Sequence, residues 1–423
     1  MKITSAYFEG DNFDLYHNMR KEDFNMGNIK LSKFNIFTML LIPFVWIYEL
    51  SVVAPILGEV SKAFPNSSTF ELQMIVIMPF FTSIPFSIIA GKLAKKYDKK
   101  ILIIIGLLIY GMAGILPFFC QTMSQVLIFR LLTGIGVGMV LPLPNAIIAE
   151  NFTGTRRERM LGAATGVANV ANVLDSIAVG FILLYGWKYP FLCFSVCLVI
   201  MVVAMVGLPK SPPVIHEEEK DENTSEKGLP KVVYGLLIFM AVNWMIFAFN
   251  INNTALFMDT EQIGLPWMIG IAISLPGGIS IISGLVFPNL YHKTKNYLVP
   301  IAVAIFAAGY VVMYFTHDFA TQCVANCLIG FGSGMIPPYI LNLTSQKVNK
   351  YQRDAAYGIV TAGIHIGFLA SPFVQLFIST VTGIEAFRSL YGMCAVALVI
   401  CTIISLMIAM KQQNSVIAKE VKC

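Results

Sequence analysis

Apolar runs of about twenty residues alternate with short polar turns along almost the whole chain. Such a run is the length needed for a helix to cross about 30 Å of hydrocarbon. The pattern predicts spans near 34–57, 71–91, 101–120, 125–148, 161–184 and 188–208, then 231–257, 264–287, 298–315, 319–342, 355–379 and 388–410. One long polar stretch interrupts them, 209–230, which carries Ser211-Pro212-Pro213 and the charged run from Glu217 to Asp221. The expected organisation is a tail (1–33), a six-helix bundle (34–208), a linker (209–230), a second six-helix bundle (231–410) and a second tail (411–423). The first 33 residues hold no apolar region followed by a small-residue cleavage site, so they read as a tail and not a secretory signal.

Basic residues set the orientation of such a chain. Of the 29 Lys and Arg, 25 fall in the tails, the linker and the turns on one side, three (Lys62, Lys188, Arg388) fall on the other, and Arg130 is inside a span. Both termini and the linker are therefore expected in the cytoplasm, with the protein in the cytoplasmic membrane.

Composition agrees. The chain has 423 residues, 57% of them hydrophobic and 13% charged, with mean hydropathy +0.72. Soluble domains carry roughly 25% charged residues, so a soluble enzyme, a disordered chain and a collagen-like chain are excluded. The net charge of +5 is accounted for by topology and gives no support to a nucleic-acid role. Seven of the eight Cys lie in apolar stretches, and no disulfide framework is expected. Cys193/Cys197 and Cys323/Cys327 are each one helical turn apart, but no His or carboxylate completes a metal set, so neither a metal nor a cofactor is predicted.

The two halves repeat. Phe86-Ser-Ile-Ile-Ala-Gly91 recurs as Ile279-Ser-Ile-Ile-Ser-Gly284, and Gly134-Ile-Gly-Val-Gly-Met139 as Gly330-Phe-Gly-Ser-Gly-Met335, at offsets of 193 and 196. At the second offset Pro142 falls on Pro338 and Gly162 on Gly358. Six spans return the chain to the same side, so the repeats are parallel, which places a binding site between two bundles at mid-membrane. The fold class is thus an all-α membrane protein of twelve transmembrane helices in two parallel six-helix repeats.

Gly91-Lys-Leu-Ala-Lys-Lys-Tyr-Asp-Lys-Lys100 resembles the signature loop of the major facilitator superfamily, a Gly followed by an acid and Arg at the fifth and sixth places, then a Gly and two basic residues. Phe129-Arg130-Leu-Leu-Thr-Gly134 is similar to that family's second motif. The resemblance spans about 34–410 and is nearest to the drug-efflux-like bacterial branch. It implies a gating loop at Gly91, Lys95, Asp98 and Lys99. Here Lys95 replaces the signature acid and Asp98 stands where Gly is usual, so a latch of the family kind would have to be rebuilt around Asp98. The span-5 antiporter motif with its Gly-Pro pair is missing, since 162–180 contains no Pro.

Ionisable groups inside a membrane are costly and mark function. Four lie well within spans: Glu49, Arg130, Asp175 and His365. At 1.5 Å per residue, Glu49, Asp175 and Arg130 lie about 12, 13 and 8 Å from the outer surface. Arg130 can hold one carboxylate ionised while the other loads and releases a proton. The expected assignment is Asp175 as the partner of Arg130 and Glu49 as the coupling group. Alternatives are a structural Arg130–Asp175 pair, or Arg130 as a direct contact for an anionic substrate. Asn145, Asn169, Asn172, Asn243 and Asn250 are expected to line a polar cavity, because amides cannot face lipid cheaply. Phe44, Trp46, Tyr48, Phe80, Phe247 and Phe249 would floor that cavity or pack against lipid. The small residues Gly134, Gly138, Gly330 and Gly334 let helices approach closely; Gly134-x-Gly-x-Gly138 follows no strand and is not a nucleotide loop.

These features predict a monomeric secondary transporter for a small-molecule substrate, embedded in the lipid bilayer and coupled to protons, in drug or metabolite efflux. The alternative is an organic-anion or nutrient symporter using Arg130. An intramembrane enzyme would need a convergent set such as His-Glu-x-x-His, and the one His-Glu pair, His216-Glu217, lies in the linker.

Overall fold

A computed structural model describes residues 31–211, 229–348 and 352–420. The tail up to residue 30 and the linker's charged run 217–221 lie outside these. The spans are α1 (Lys33–Val45 continuing as Tyr48–Ala63), α2 (Thr69–Leu93), α3 (Lys99–Phe119), α4 (Met123–Asn151), α5 (Gly154–Ile182) and α6 (Tyr189–Gly207). The second set is α7 (Lys231–Thr260), α8 (Pro266–Thr294), α9 (Leu298–Phe315), α10 (Phe319–Lys347), α11 (Arg353–Thr382) and α12 (Phe387–Glu420). Eleven of them are long and apolar enough to cross a membrane singly, and α1 makes a twelfth if its two bent segments form one span. Many large apolar side chains stay exposed on the outside, such as Leu285 (74%) and Phe377 (68%), as lipid-facing helices require.

The helix ends follow local chemistry. Ser68 and Glu71 form a capping box at the start of α2, and Thr122 with Gln125 does the same for α4. These satisfy backbone N–H groups that a helix start leaves unpaired. In α1, Pro43 and Pro55 begin 3-10 turns, Ile42–Val45 and Ala54–Ile56, and the two segments of the span meet at 44°. A continuous span 34–57 is therefore corrected to a broken one reaching Ala63, because Pro cannot donate to the helical ladder. In α4, Leu141 and Pro142 separate Met123–Val140 from Leu143–Asn151. Helix α12 continues ten residues beyond the expected end of the last span.

Packing repeats between the halves. Helix α4 sits between α2 and α3, as α10 sits between α8 and α9; α3 packs on α6 as α9 does on α12, and α1 on α5 as α7 on α11. Glycines permit the tightest crossings. A Cβ on Gly134 would stand 2.1 Å from the Pro79 carbonyl oxygen, and one on Gly330 would stand 2.4 Å from that of Pro276. Gly138 against Ser83 and Gly334 against Ser280 repeat the arrangement one turn on. The bundles join along α5–α8, α2–α11 and α1–α7. We call the end bearing the α2–α3 turn the basic end, and the end bearing the α1–α2 turn the far end.

Candidate functional site

A cavity of about 260 Å³ lies between the bundles. Trp46, Glu49, Phe80, Asn169 and Asn172 face it from the first bundle; Trp244, Phe247, Ser280, His365 and Phe368 face it from the second. Its wall is chiefly apolar, with aromatic rings from both bundles. Phe80 stacks on Phe368 across the bundle interface, with centroids 5.6 Å apart, and Trp244 meets Phe247 edge-on at 5.0 Å.

Glu49 reaches this wall because the break in α1 ends just before it: it lies in the short helical turn Tyr48–Ser51 that follows the bend. Its Oε2 accepts from Arg130 Nη2 in an ion pair buried on both sides. Arg130 Nε also donates to the Ile75 carbonyl at 2.7 Å, and its guanidinium lies 5.7 Å from the Phe194 ring. Arg130 is wholly inside the first bundle (0% exposed) and is not part of the cavity wall. Two buried polar atoms on wall residues, Glu49 Oε1 and Trp46 Nε1, have no hydrogen-bond partner among the described residues.

The expected pairing of Arg130 with Asp175 is thus corrected. Counting along the helices expects the three groups at similar depth, but depth leaves the direction around each helix open. Asp175 is half-buried on α5, in the electrostatic neighbourhood of Tyr48, Cys193 and Cys197, and its Oδ2 has no hydrogen-bond partner among the described residues.

The amides divide. Asn169 and Asn172 face the cavity, whereas Asn145, Asn243 and Asn250 do not. Asn145 follows the Pro142 break and is exposed. Asn243 donates back to the Phe239 carbonyl of its own helix at 2.8 Å, and Asn250 Nδ2 donates to Asn326 Oδ1 at 2.9 Å within the second bundle. Of the six aromatics, Trp46, Phe80 and Phe247 line the cavity, while Tyr48 packs on Phe194 and Phe249 on Tyr391.

At the basic end, Asp98 Oδ1 accepts the N–H of Lys100, capping α3, and also the N–H of Ser211 at 3.1 Å. Buried Lys99 pairs with Glu150 at 2.8 Å, and Ser211 Oγ donates to the same carboxylate at 2.6 Å. These bonds fasten the start of the linker to the first bundle. Gly91 has open space around it and Lys95 is exposed.

Sequence reasoning overlooked Gln73, Gln322, Asn326 and Gln375, all buried. The signal was present: a glutamine inside an apolar run carries the same cost as an asparagine.

The model of the Major Facilitator Superfamily matches residues 39–301 and 294–420. The chain belongs to the major facilitator superfamily. An uncharacterized MFS-type transporter of Methanocaldococcus jannaschii is 24% identical over 390 residues, covering 89% of this chain and 98% of the relative. Quinolone resistance protein NorA of Staphylococcus aureus is 23% identical, over 81% of this chain and 87% of its own. Among solved structures, a bacterial homolog of the human lysosomal transporter Spinster, inward-facing and unoccupied, superposes with a TM-score of 0.68 at 13% identity, covering 90% and 96% of the two chains. This facilitator therefore has the family's fold, and its multi-pass membrane character follows from it.

Proposed function

We propose that the chain is a secondary transporter that exports a small organic solute through the central cavity by alternating access, with proton coupling at Glu49. The observation that carries this reading is the Glu49 carboxylate itself. One oxygen is held by buried Arg130 and the other, unpartnered, belongs to an aromatic wall. An acid among Trp46, Phe80, Trp244 and Phe247 suits a flat, apolar solute with a cationic or N–H group, since ring faces attract cations. Solute and proton would compete for Glu49, which couples their movements in opposite directions.

His365 faces the same cavity from α11 and offers a second proton-accepting group. Asp175 lies off the wall and serves as a secondary acid. The similarity to NorA supports efflux. The alternative of an anion carrier using Arg130 is less well supported, because Nε and Nη2 are taken by Ile75 and Glu49 and the guanidinium, with Nη1 unpartnered, is buried off the cavity wall. The positive-inside pattern supports a cytoplasmic position for the basic end.

The test uses ethidium and a quinolone as probes in proteoliposomes with an imposed proton gradient. Gradient-driven flux should vanish in Glu49→Gln and persist in Asn145→Ala. Full flux in Glu49→Gln would overturn the coupling role.

A further inference from the structure

Three buried amides tie the bundles together toward the far end. Gln73 of α2 donates through Nε2 to Asn253 Oδ1 on α7 and to Gln375 Oε1 on α11, both at 2.7 Å. Asn253 Nδ2 also donates to Gln375 Oε1 at 2.9 Å, closing the triangle. Gln73, Asn253 and Gln375 are 1%, 0% and 8% exposed. One member comes from the first bundle and two from the second, so no relative movement of the bundles at this level can spare these bonds. The Glu49–Arg130 pair differs, lying inside one bundle and surviving any such movement.

A second cavity of about 290 Å³ adjoins the triangle. Unlike the mainly apolar central cavity it is polar, walled by Ser68, Thr69, Gln73, Gln375, Ser379 and Glu385. It lies between the start of α2 and the end of α11, at the far end. On the exposed face of the α2–α11 contact, Phe70 and Phe81 both meet Phe373 edge-on, so rings and amides together bridge α2 and α11.

We infer that the Gln73–Asn253–Gln375 triangle is the far-side gate of the transport path, and that the polar cavity beside it is the chamber through which solute passes once the triangle opens. The inference rests on the alternating-access reading above. The chemistry suits a gate. Neutral amides close an interface without stranding a charge, and water in the adjoining chamber can take over their hydrogen bonds as they part. The nearby Lys62–Asp259 pair, 2.6 Å long, also joins α1 to α7, but Lys62 is half-exposed and such rim pairs hold weakly.

Isosteric variants separate a gate from simple packing. In Gln375→Glu, the acceptor oxygen that receives both N–H groups is kept. In Gln73→Glu, both donors are lost and a carboxylate faces two carbonyl oxygens. Spin labels at Asn66 and Thr382, introduced as unnatural amino acids because the chain has eight Cys, read the far-end separation of the full chain in lipid discs. Gln73→Glu and Gln375→Ala should raise the population of a longer distance about five- to tenfold. Gln375→Glu should keep the wild-type distribution, as should Asn326→Ala, which removes a buried amide inside one bundle. Equal responses to the two glutamate variants, or none to any variant, would overturn the gate. Ethidium flux by the wild type is measured alongside. Flux with unmoved distances sinks the gate and leaves the transporter standing, whereas absent flux with the expected distance changes does the reverse.

Discussion

Asn326 occupies on α10 the place that Arg130 occupies on α4, 196 residues earlier, and each reaches to the first helix of its own bundle. Arg130 binds Glu49; Asn326 accepts from Asn250. The repeat has kept the geometry and divided the chemistry: a charged pair in one bundle and a neutral pair in the other. Of these two equivalent places, only the one in the first bundle carries charge.

That difference sets a ranking of stability. Arg130→Ala leaves the Glu49 carboxylate buried without its partner, and breaking such a pair costs about 3–5 kcal/mol. Asn326→Ala removes an interhelical amide contact, worth about 0.6–2 kcal/mol in membranes. Thermal unfolding in detergent should show the larger loss for Arg130→Ala. Arg130→Lys should fall between, since it keeps the charge and loses the Nε bond to Ile75.

Asp175→Asn should leave the unfolding midpoint unchanged or raised. The carboxylate has an unpartnered Oδ2, and Arg130 is engaged elsewhere, so its charge supports no described ion pair. A fall of several degrees would show that a cation holds Asp175 in the folded protein.

Glycines of the repeated motifs should divide by their surroundings. At Gly134 and Gly330 a methyl group would strike a backbone carbonyl, and overpacking of this kind costs about 1–3 kcal/mol or more. At Gly162 and Gly358 no atom lies within 4 Å of the added methyl. Alanine there should hold or raise stability by up to about 1 kcal/mol through helix propensity. Expression yield and melting of the four single variants check the division.

Asp98→Ala should cost about 1 kcal/mol through loss of the α3 cap. It also removes the acceptor for the Ser211 N–H, so hydrogen exchange at Ser211 and Lys100 should accelerate together. Acceleration at Lys100 alone would mean that Lys99 and Glu150 suffice to hold the linker.

Much of the fold was legible because lipid enforces simple rules. Apolar run length marked the helices, and the parallel repeat stood out in Gly-rich motifs whose backbone contacts tolerate no side chain. The site was only partly legible. Depth along a helix follows from counting, and Glu49 and Arg130, counted to similar depths, do meet. Azimuth does not, once Pro43 and Pro55 unwind parts of α1, and so Asp175 was matched to Arg130 in place of Glu49. The amides were legible as a class but not by destination. Asn172 and Asn250 look alike in sequence, yet one faces the cavity and the other turns to α10. Gln73 and Gln375 have meaning only as a pair, 302 residues apart.

Helices α5 and α8 touch with almost nothing between them: a Cβ on Gly270 would stand 2.1 Å from the Ser176 carbonyl, and one on Gly180 would stand 2.6 Å from that of Trp267. Bare backbone against bare backbone offers no teeth to strip, so a rotation of α5 on α8 would meet little side-chain resistance at this crossing. Twenty residues of helix below it form an arm of about 30 Å. A turn of about 10° at the crossing swings the end of that arm by about 5 Å, enough to admit a water-sized or slightly larger group. Small angles at two glycines can thus be converted into an opening at the opposite surface.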